Sequence, residues 1–261
     1  MMLLSLFPGI DLLGRAFEEV GFAVVRGPDV LWGGDIRRFH VPAGKFWGVI
    51  GGSPCQDFSR LRRSPATGYG LQMLSEFQRV VEEARPEWWL LENVPGVPDV
   101  KVEGYNWIRV DQNQGWYSGT NRLRIFQFGA RSGVQLDLRA FPTRRGRLPA
   151  AVANDDRGFR EVCKLQGLPA SYDLPGFTVE QKVRAVGNGV PLVLGRVVAR
   201  AIRACYGLDV WGEDPVFDQA PVAGRHCGCL CGRRVHGKQV YASAACRWRA
   251  KRRRDRVKAG S

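Results

Sequence analysis

The chain has 261 residues, 44% of them hydrophobic, and carries 39 Lys and Arg against 25 Asp and Glu, a formal charge of +14. That is enough chain for one α/β domain with a packed core and a small appendage. No apolar run approaches the ~20 residues of a membrane helix, and the stretch from Leu3 to Phe7 is too short for a signal-peptide core, so an intracellular protein without a membrane partner is expected.

Short apolar runs alternate with helical patterns through the first half, the βαβ signature of a mostly parallel, Rossmann-like sheet with helices on both faces. Leu3 to Phe7 reads as a strand that turns at Pro8-Gly9. Leu12, Leu13, Ala16, Phe17 and Val20 then recur at helical spacing until Gly21. Ala23 to Val25 is a second strand and Trp47 to Ile50 a third, which runs into Gly51-Gly52-Ser53-Pro54-Cys55. Leu71, Leu74, Phe77, Val80 or Val81, and Ala84 mark a helix closed by Pro86, and Trp88 to Leu91 is a fourth strand leading into Glu92-Asn93.

After Gly96 the pattern loosens. Leu123 to Gly129 alternates as a half-exposed strand of an antiparallel hairpin, residues 131–158 read as a loop-dominated insertion, a compact segment follows at Phe159 to Pro169, and Val190 to Tyr206 is a final amphipathic helix. The expected organisation is a catalytic core over 1–130, an insertion over 131–158, a segment returning to the core over 159–208, a linker over 209–224 and a basic tail over 225–261.

Gly9 and Asp11, Asp29, Cys55 and Glu92 follow successive strands, so all should lie on the carboxyl edge of the sheet, where open parallel sheets bind ligands. The opening turn lacks a full G-x-G-x-x-G, but Asp29, 20 residues past Gly9, stands where such folds hold a ribose hydroxyl; together they suit an adenosine cofactor. Asp35 in Gly33-Gly34-Asp35 is either an acceptor for an adenine amino group or a turn cap. Cys55, presented after Gly-Gly-Ser-Pro, reads as an accessible thiol, although free cysteines are more often simply buried.

Pro54-Cys55-Gln56 with Phe58-Ser59, Glu92-Asn93-Val94, Arg122-x-Arg124 and Gly187-Asn188-Gly189-Val190-Pro191 resemble, in order, the motifs of the C5-cytosine DNA methyltransferases. The similarity runs from about Leu3 to Tyr206, and the compact layout is similar to forms found in bacteriophages and prophages. The resemblance implies S-adenosylmethionine as cofactor, double-stranded DNA as partner and a flipped cytosine as substrate. It makes Cys55 the nucleophile toward cytosine C6, and Glu92 the carboxyl that holds N3 and the exocyclic amine. Arg122 and Arg124 would position the base and the Cys55 loop. Cofactor positions carry over as Phe7, Gly9, Asp29, Asp35, Pro54, Asn188 and Val190. Read without the resemblance, the arginines are equally phosphate contacts or surface charge.

Three departures stand out. The family usually has Gly-Gly where this chain has Asp11-Leu12, which puts a side chain near the methionine part of the cofactor. Thr120 replaces a Gln before Asn121-Arg122, and the sequence-reading insertion is very short. The catalytic motifs alone also fit cytosine methylation in RNA, or a DNA-binding protein with weakened catalysis.

The charge is concentrated in the tail: from Arg225 to Ser261 twelve Lys and Arg face one acid, Asp255, for +11, so the preceding 224 residues carry +3. That is the footprint of a polyanion-binding segment, with a merely solvated tail as the bland alternative. Cys227, Cys229, Cys231 and Cys246 are similar in pattern to a small zinc module in which Ala242 replaces one expected ligand; they could still supply four thiolates to one structural zinc, or be the remnant of such a site. An odd total of seven cysteines argues for reduced thiols. A monomer with one DNA-binding cleft, in the cytoplasm of a bacterial or phage-infected cell, is expected.

Overall fold

The alternation of apolar runs is what places the chain on two sides of one sheet, as a computed structural model shows for residues 1–59, 62, 64–138, 149–153 and 155–208. Six strands are ordered β2-β1-β3-β4-β6-β5: β1 (Met2–Leu6), β2 (Ala23–Arg26), β3 (Gly48–Gly51), β4 (Trp88–Asn93), β5 (Asn106–Asn113) and β6 (Leu123–Ala130). The first four pair in parallel, β6 runs antiparallel to β4, and β5 runs antiparallel to β6. This is a Rossmann-like sheet with an antiparallel edge.

Successive strand residues face opposite sides, so adjacent apolar pairs feed two cores. Leu3, Ile50, Trp88 and Leu90 pack with Leu13 and Phe17 of α1 (Leu12–Glu19) and with Leu194, Val198 and Ile202 of α5 (Leu192–Cys205). Their neighbours Leu4, Val49, Trp89 and Leu91 pack with Met73, Phe77 and Val80 of α2 (Tyr69–Ala84) on the other face. Trp88 and Trp89 are fully buried, one in each core. Each sits over a glycine of the next strand: a Cβ on Gly48 would lie 2.4 Å from the Trp88 ring, and one on Gly129 2.4 Å from Trp89. Truncating either indole would cost about 3–5 kcal/mol.

A third cluster joins α3 (Phe159–Leu165) and α4 (Val179–Asn188) to Leu12, Ala16 and Leu192, which docks the returning segment onto α1. Val179–Cys205 is the one helical stretch among the described residues long and apolar enough to cross a membrane. It is broken by Gly189 to Pro191 between α4 and α5, and more than half of its most apolar part is buried inside the protein.

Three expectations are corrected. β6 is not half-exposed: six of its eight residues are buried between β4 and β5. Its polar residues are bonded internally. Gln127, with no exposed surface, accepts from Val100 N–H at 2.7 Å and donates to the Pro98 carbonyl at 2.8 Å. β5 carries no strand signal because Asn106, Arg109, Asp111 and Asn113 break the apolar pattern, as an edge strand with one open side tolerates. Helix α4 is the third difference. Its start carries a capping box, with Thr178 Oγ1 accepting from Gln181 N–H and Gln181 Oε1 accepting from Thr178 N–H.

Candidate active site

A cleft of about 480 Å³ opens along the carboxyl ends of β1, β3 and β4 and is closed on one side by α4 and residues 188–190. Its volume suits a ligand of nucleoside size or somewhat larger. Ten of the eleven expected catalytic and cofactor residues line it: Cys55, Glu92, Arg124, Phe7, Gly9, Asp29, Asp35, Pro54, Asn188 and Val190. Arg122 does not.

The turn between β1 and α1 is strained. Phe7, Gly9 and Asp11 all have left-handed backbones (φ 52, 54 and 52), and two of the three are not glycine. Bonds from the next loop hold it: Asp29 accepts from Gly9 N–H at 2.8 Å and from Leu31 N–H at 2.8 Å, while the Trp32 indole donates to the Gly9 carbonyl at 2.7 Å. Each Asp29 oxygen therefore still has a lone pair for a ligand hydroxyl. Asp35 lines the cleft but also caps a short turn, accepting from Arg37 N–H at 3.0 Å and from the Arg37 guanidinium, which holds its carboxyl below the usual range. Asp35 is thus a turn cap that also lines the cleft.

At the other end of the cleft Cys55 and Glu92 meet. Glu92, 7% exposed, is ion-paired to Arg124 Nε at 2.8 Å. Burial still outweighs the Arg124 and Arg122 charges, so its carboxyl titrates above the usual range. The Cys55 thiol is also pushed up, first by burial and then by the Glu92 charge, against the pull of Arg124 and Arg122. A glycine is needed beside them: a Cβ on Gly52 would lie 3.3 Å from Glu92 Oε2. Asn93 donates to the Ser53 carbonyl and hydroxyl, both at 3.0 Å, tying the Cys55 loop to β4.

Arg122 is buried behind this site, and burial pulls its guanidinium down to about 9, still cationic at neutral pH. It donates to the carbonyls of Ala151, Gly187 (2.7 Å) and Gly189 (3.2 Å). These bonds fix the 187–190 segment, whereas Arg124, inside β6, pairs with Glu92. Phe177, Gln181 and Arg184 line the cleft as well, and sequence reasoning does not reach them because it does not find α4. Trp32 makes an edge contact with Phe177 at 5.7 Å between centroids. Asp11 is folded back, accepting from Ser5 Oγ at 2.8 Å and Gly14 N–H at 3.0 Å. Cys227, Cys229, Cys231 and Cys246, and the whole linker and tail, lie outside the described residues. Among the described residues no group of three or more His, Cys, Asp or Glu is arranged to hold a metal ion.

A mainly parallel sheet with a nucleoside-sized cleft on its carboxyl edge, and a thiol beside a buried carboxyl, define a Rossmann-like α/β fold with a candidate nucleophile. Residues 33–107 match the family of C-5 cytosine-specific DNA methylases. The type II methyltransferase M.XorII of Xanthomonas oryzae pv. oryzae is 26% identical over 215 residues, 66% of this chain and 51% of that protein. The type II methylase M.HgiDII of Herpetosiphon aurantiacus is 43% identical over 49 residues, 19% of this chain and 14% of that one. Among solved structures, a putative DNA modification methyltransferase encoded within an E. coli prophage superposes with a TM-score of 0.59 at 16% identity, over 79% of this chain and 99% of that one. The Dnmt2 methyltransferase of S. pombe gives 0.53 at 14% identity, over 79% and 98%. These similarities support the C5-cytosine DNA methyltransferase family as the one this chain resembles. It spans about half the length of M.XorII.

Proposed function

We propose that the protein transfers a methyl group from S-adenosylmethionine to C5 of a cytosine flipped out of double-stranded DNA, with Cys55 as nucleophile. The observation that carries this reading is the pairing of the Cys55 thiol with the buried, raised-pKa carboxyl of Glu92 at the end of a nucleoside-sized cleft. The cofactor is read into the same cleft: Asp29 has lone pairs left for the ribose hydroxyls, and Phe7, Gly9, Asp35, Pro54, Asn188 and Val190 line it. Bound there, S-adenosylmethionine supplies an electrophilic methyl group.

The chain's residues do the rest. Cytosine C5 is a poor nucleophile, so Cys55 releases its thiol proton to solvent and its sulfur bonds to C6, which moves the C5–C6 π pair toward N3 and makes C5 nucleophilic. Glu92, whose carboxyl burial pushes above the usual range, donates its proton to N3 and takes up the developing charge. Arg124 and Arg122 favour the Cys55 thiolate, against burial and the Glu92 charge. Arg124 holds the Glu92 carboxyl in place at 2.8 Å. Once C5 is methylated, loss of its proton to solvent expels the Cys55 sulfur as thiolate, N3 returns its proton to Glu92 and the ring is restored. The target base must leave the helix to reach the cleft. The +11 segment from Arg225 to Ser261 supplies phosphate contacts that add affinity without sequence information. The protein then acts as a monomer in the cytoplasm of a bacterial or phage-infected cell.

The test is transfer of labelled methyl from S-adenosylmethionine to cytosine-containing duplex DNA, mapped by bisulfite sequencing, with Cys55→Ser in parallel. Methylation at C5 that disappears in the variant is expected. Transfer to RNA in preference to duplex DNA would overturn the substrate, and cofactor binding without any transfer would overturn the activity.

A further inference from the structure

Helix α1 begins inside the cleft, with Asp11, Leu12 and Leu13 all lining it. A helix N-terminus carries unpaired backbone N–H groups and partial positive charge, so one that opens onto a ligand cleft ordinarily favours an anionic group of the ligand. Here the chain supplies the anion itself. Asp11 is the N-cap, is 3% exposed, and accepts the Gly14 N–H (3.0 Å) and Ser5 Oγ (2.8 Å) on Oδ1. Oδ2 lies 2.9 Å from Arg26 Nε, is fully sequestered and accepts no hydrogen bond. Gly14 makes this fold-back possible, since a Cβ there would lie 2.2 Å from Oδ2. The carboxylate and the glycine that accommodates it form one local arrangement at the mouth of the helix.

We infer that Asp11 is a specificity-determining residue for the amino-acid end of the cofactor: it makes the α1 pole of the cleft favour a ligand's ammonium group and disfavour its carboxylate. This rests on reading the cleft as an S-adenosylmethionine site. With the ribose at Asp29 and the reacting end at Cys55, the lining open to the amino-acid end includes Asp11 to Leu13 and Asn188 to Val190, together with Gln181 and Arg184 of α4. Arg26 offsets part of the Asp11 charge, so the discrimination is graded rather than absolute.

The test is calorimetric titration of the full chain and of Asp11→Asn, which keeps a capping oxygen and removes the charge, with three ligands. S-adenosylhomocysteine carries ammonium and carboxylate, its decarboxylated thiopropylamine analogue only the ammonium, and 5′-methylthioadenosine neither. Asp11→Asn is expected to bind S-adenosylhomocysteine about fivefold more tightly and the thiopropylamine about fivefold less tightly, with 5′-methylthioadenosine changed by less than about twofold. Asp11→Gly, suited to the left-handed backbone, should repeat the crossed pattern if the Asn variant folds poorly. Wild-type binding with an equal change for all three ligands, or with none, would make Asp11 purely structural and overturn the inference alone. Wild-type protein that binds none of the three would overturn the cofactor reading, and the inference with it.

Discussion

Two buried carboxylates share one cleft, and their surroundings differ. Asp11 has a backbone N–H, a hydroxyl and an arginine around it, all from its own end of the sheet. Glu92 has Arg124 alone, at 2.8 Å, with Oε2 facing the space kept open by Gly52. Burial raises the pKa of both. What separates them is the number of internal donors: Asp11 is held in place by three groups and acts on a ligand only through its charge, whereas Glu92, with one, keeps capacity to bond a ligand directly.

The comparison breaks most readily at Glu92. Glu92→Gln keeps the shape and removes the proton donor, so single-turnover transfer should fall by about 10²- to 10⁴-fold while the urea midpoint stays nearly constant. A variant that unfolds but retains its rate per folded molecule would reverse the roles assigned to the two acids. Arg122→Ala comes next. It strands the carbonyls of Ala151, Gly187 and Gly189, and urea melts should show a loss of about 3 kcal/mol together with weaker S-adenosylhomocysteine binding. Arg122→Lys should restore little of either, because a single ammonium lacks the planar fork that reaches three acceptors.

Asp11→Ala should cost about 2 kcal/mol by removing the helix cap and the Ser5 bond, and Asp11→Asn should recover most of it in the same melts. The smallest effect is on titration. A raised thiol pKa means less thiolate at a given pH, so Cys55 alkylation by iodoacetamide should be slow at neutral pH and reach its midpoint above the ordinary 9.0. Because the Glu92 charge contributes to that rise, Glu92→Gln should lower the midpoint and speed alkylation at fixed pH. An unchanged midpoint would mean that the two groups do not sense each other.

The carboxyl edge is legible in the sequence because each functional residue directly follows or ends an apolar run: Gly9 after β1, Cys55 after β3, Glu92 at the end of β4. Strand β5 and the burial of β6 are not, since Gln127 looks solvent-facing until Val100 and Pro98 are seen to satisfy it. Helix α4 has a readable start signal in Thr178 and Gln181. Its apolar positions are few, however, interrupted by Glu180, Lys182 and Arg184, and Val183 and Val186 face a neighbour that only tertiary packing supplies.

The sequence by itself determined the alternation of strands and helices, the order of the motifs and the presence of a thiol and carboxylates on one edge. These follow from local periodicity and from the fixed geometry of parallel sheets. Which charged groups pair across the cleft and which tie down backbone is visible only in the folded chain. Arg122 and Arg124 differ by two positions in the chain, yet one binds three backbone carbonyls and the other binds Glu92. A side chain's role depends on which donors and acceptors long-range folding brings within about 3 Å of it, and sequence spacing does not encode that distance.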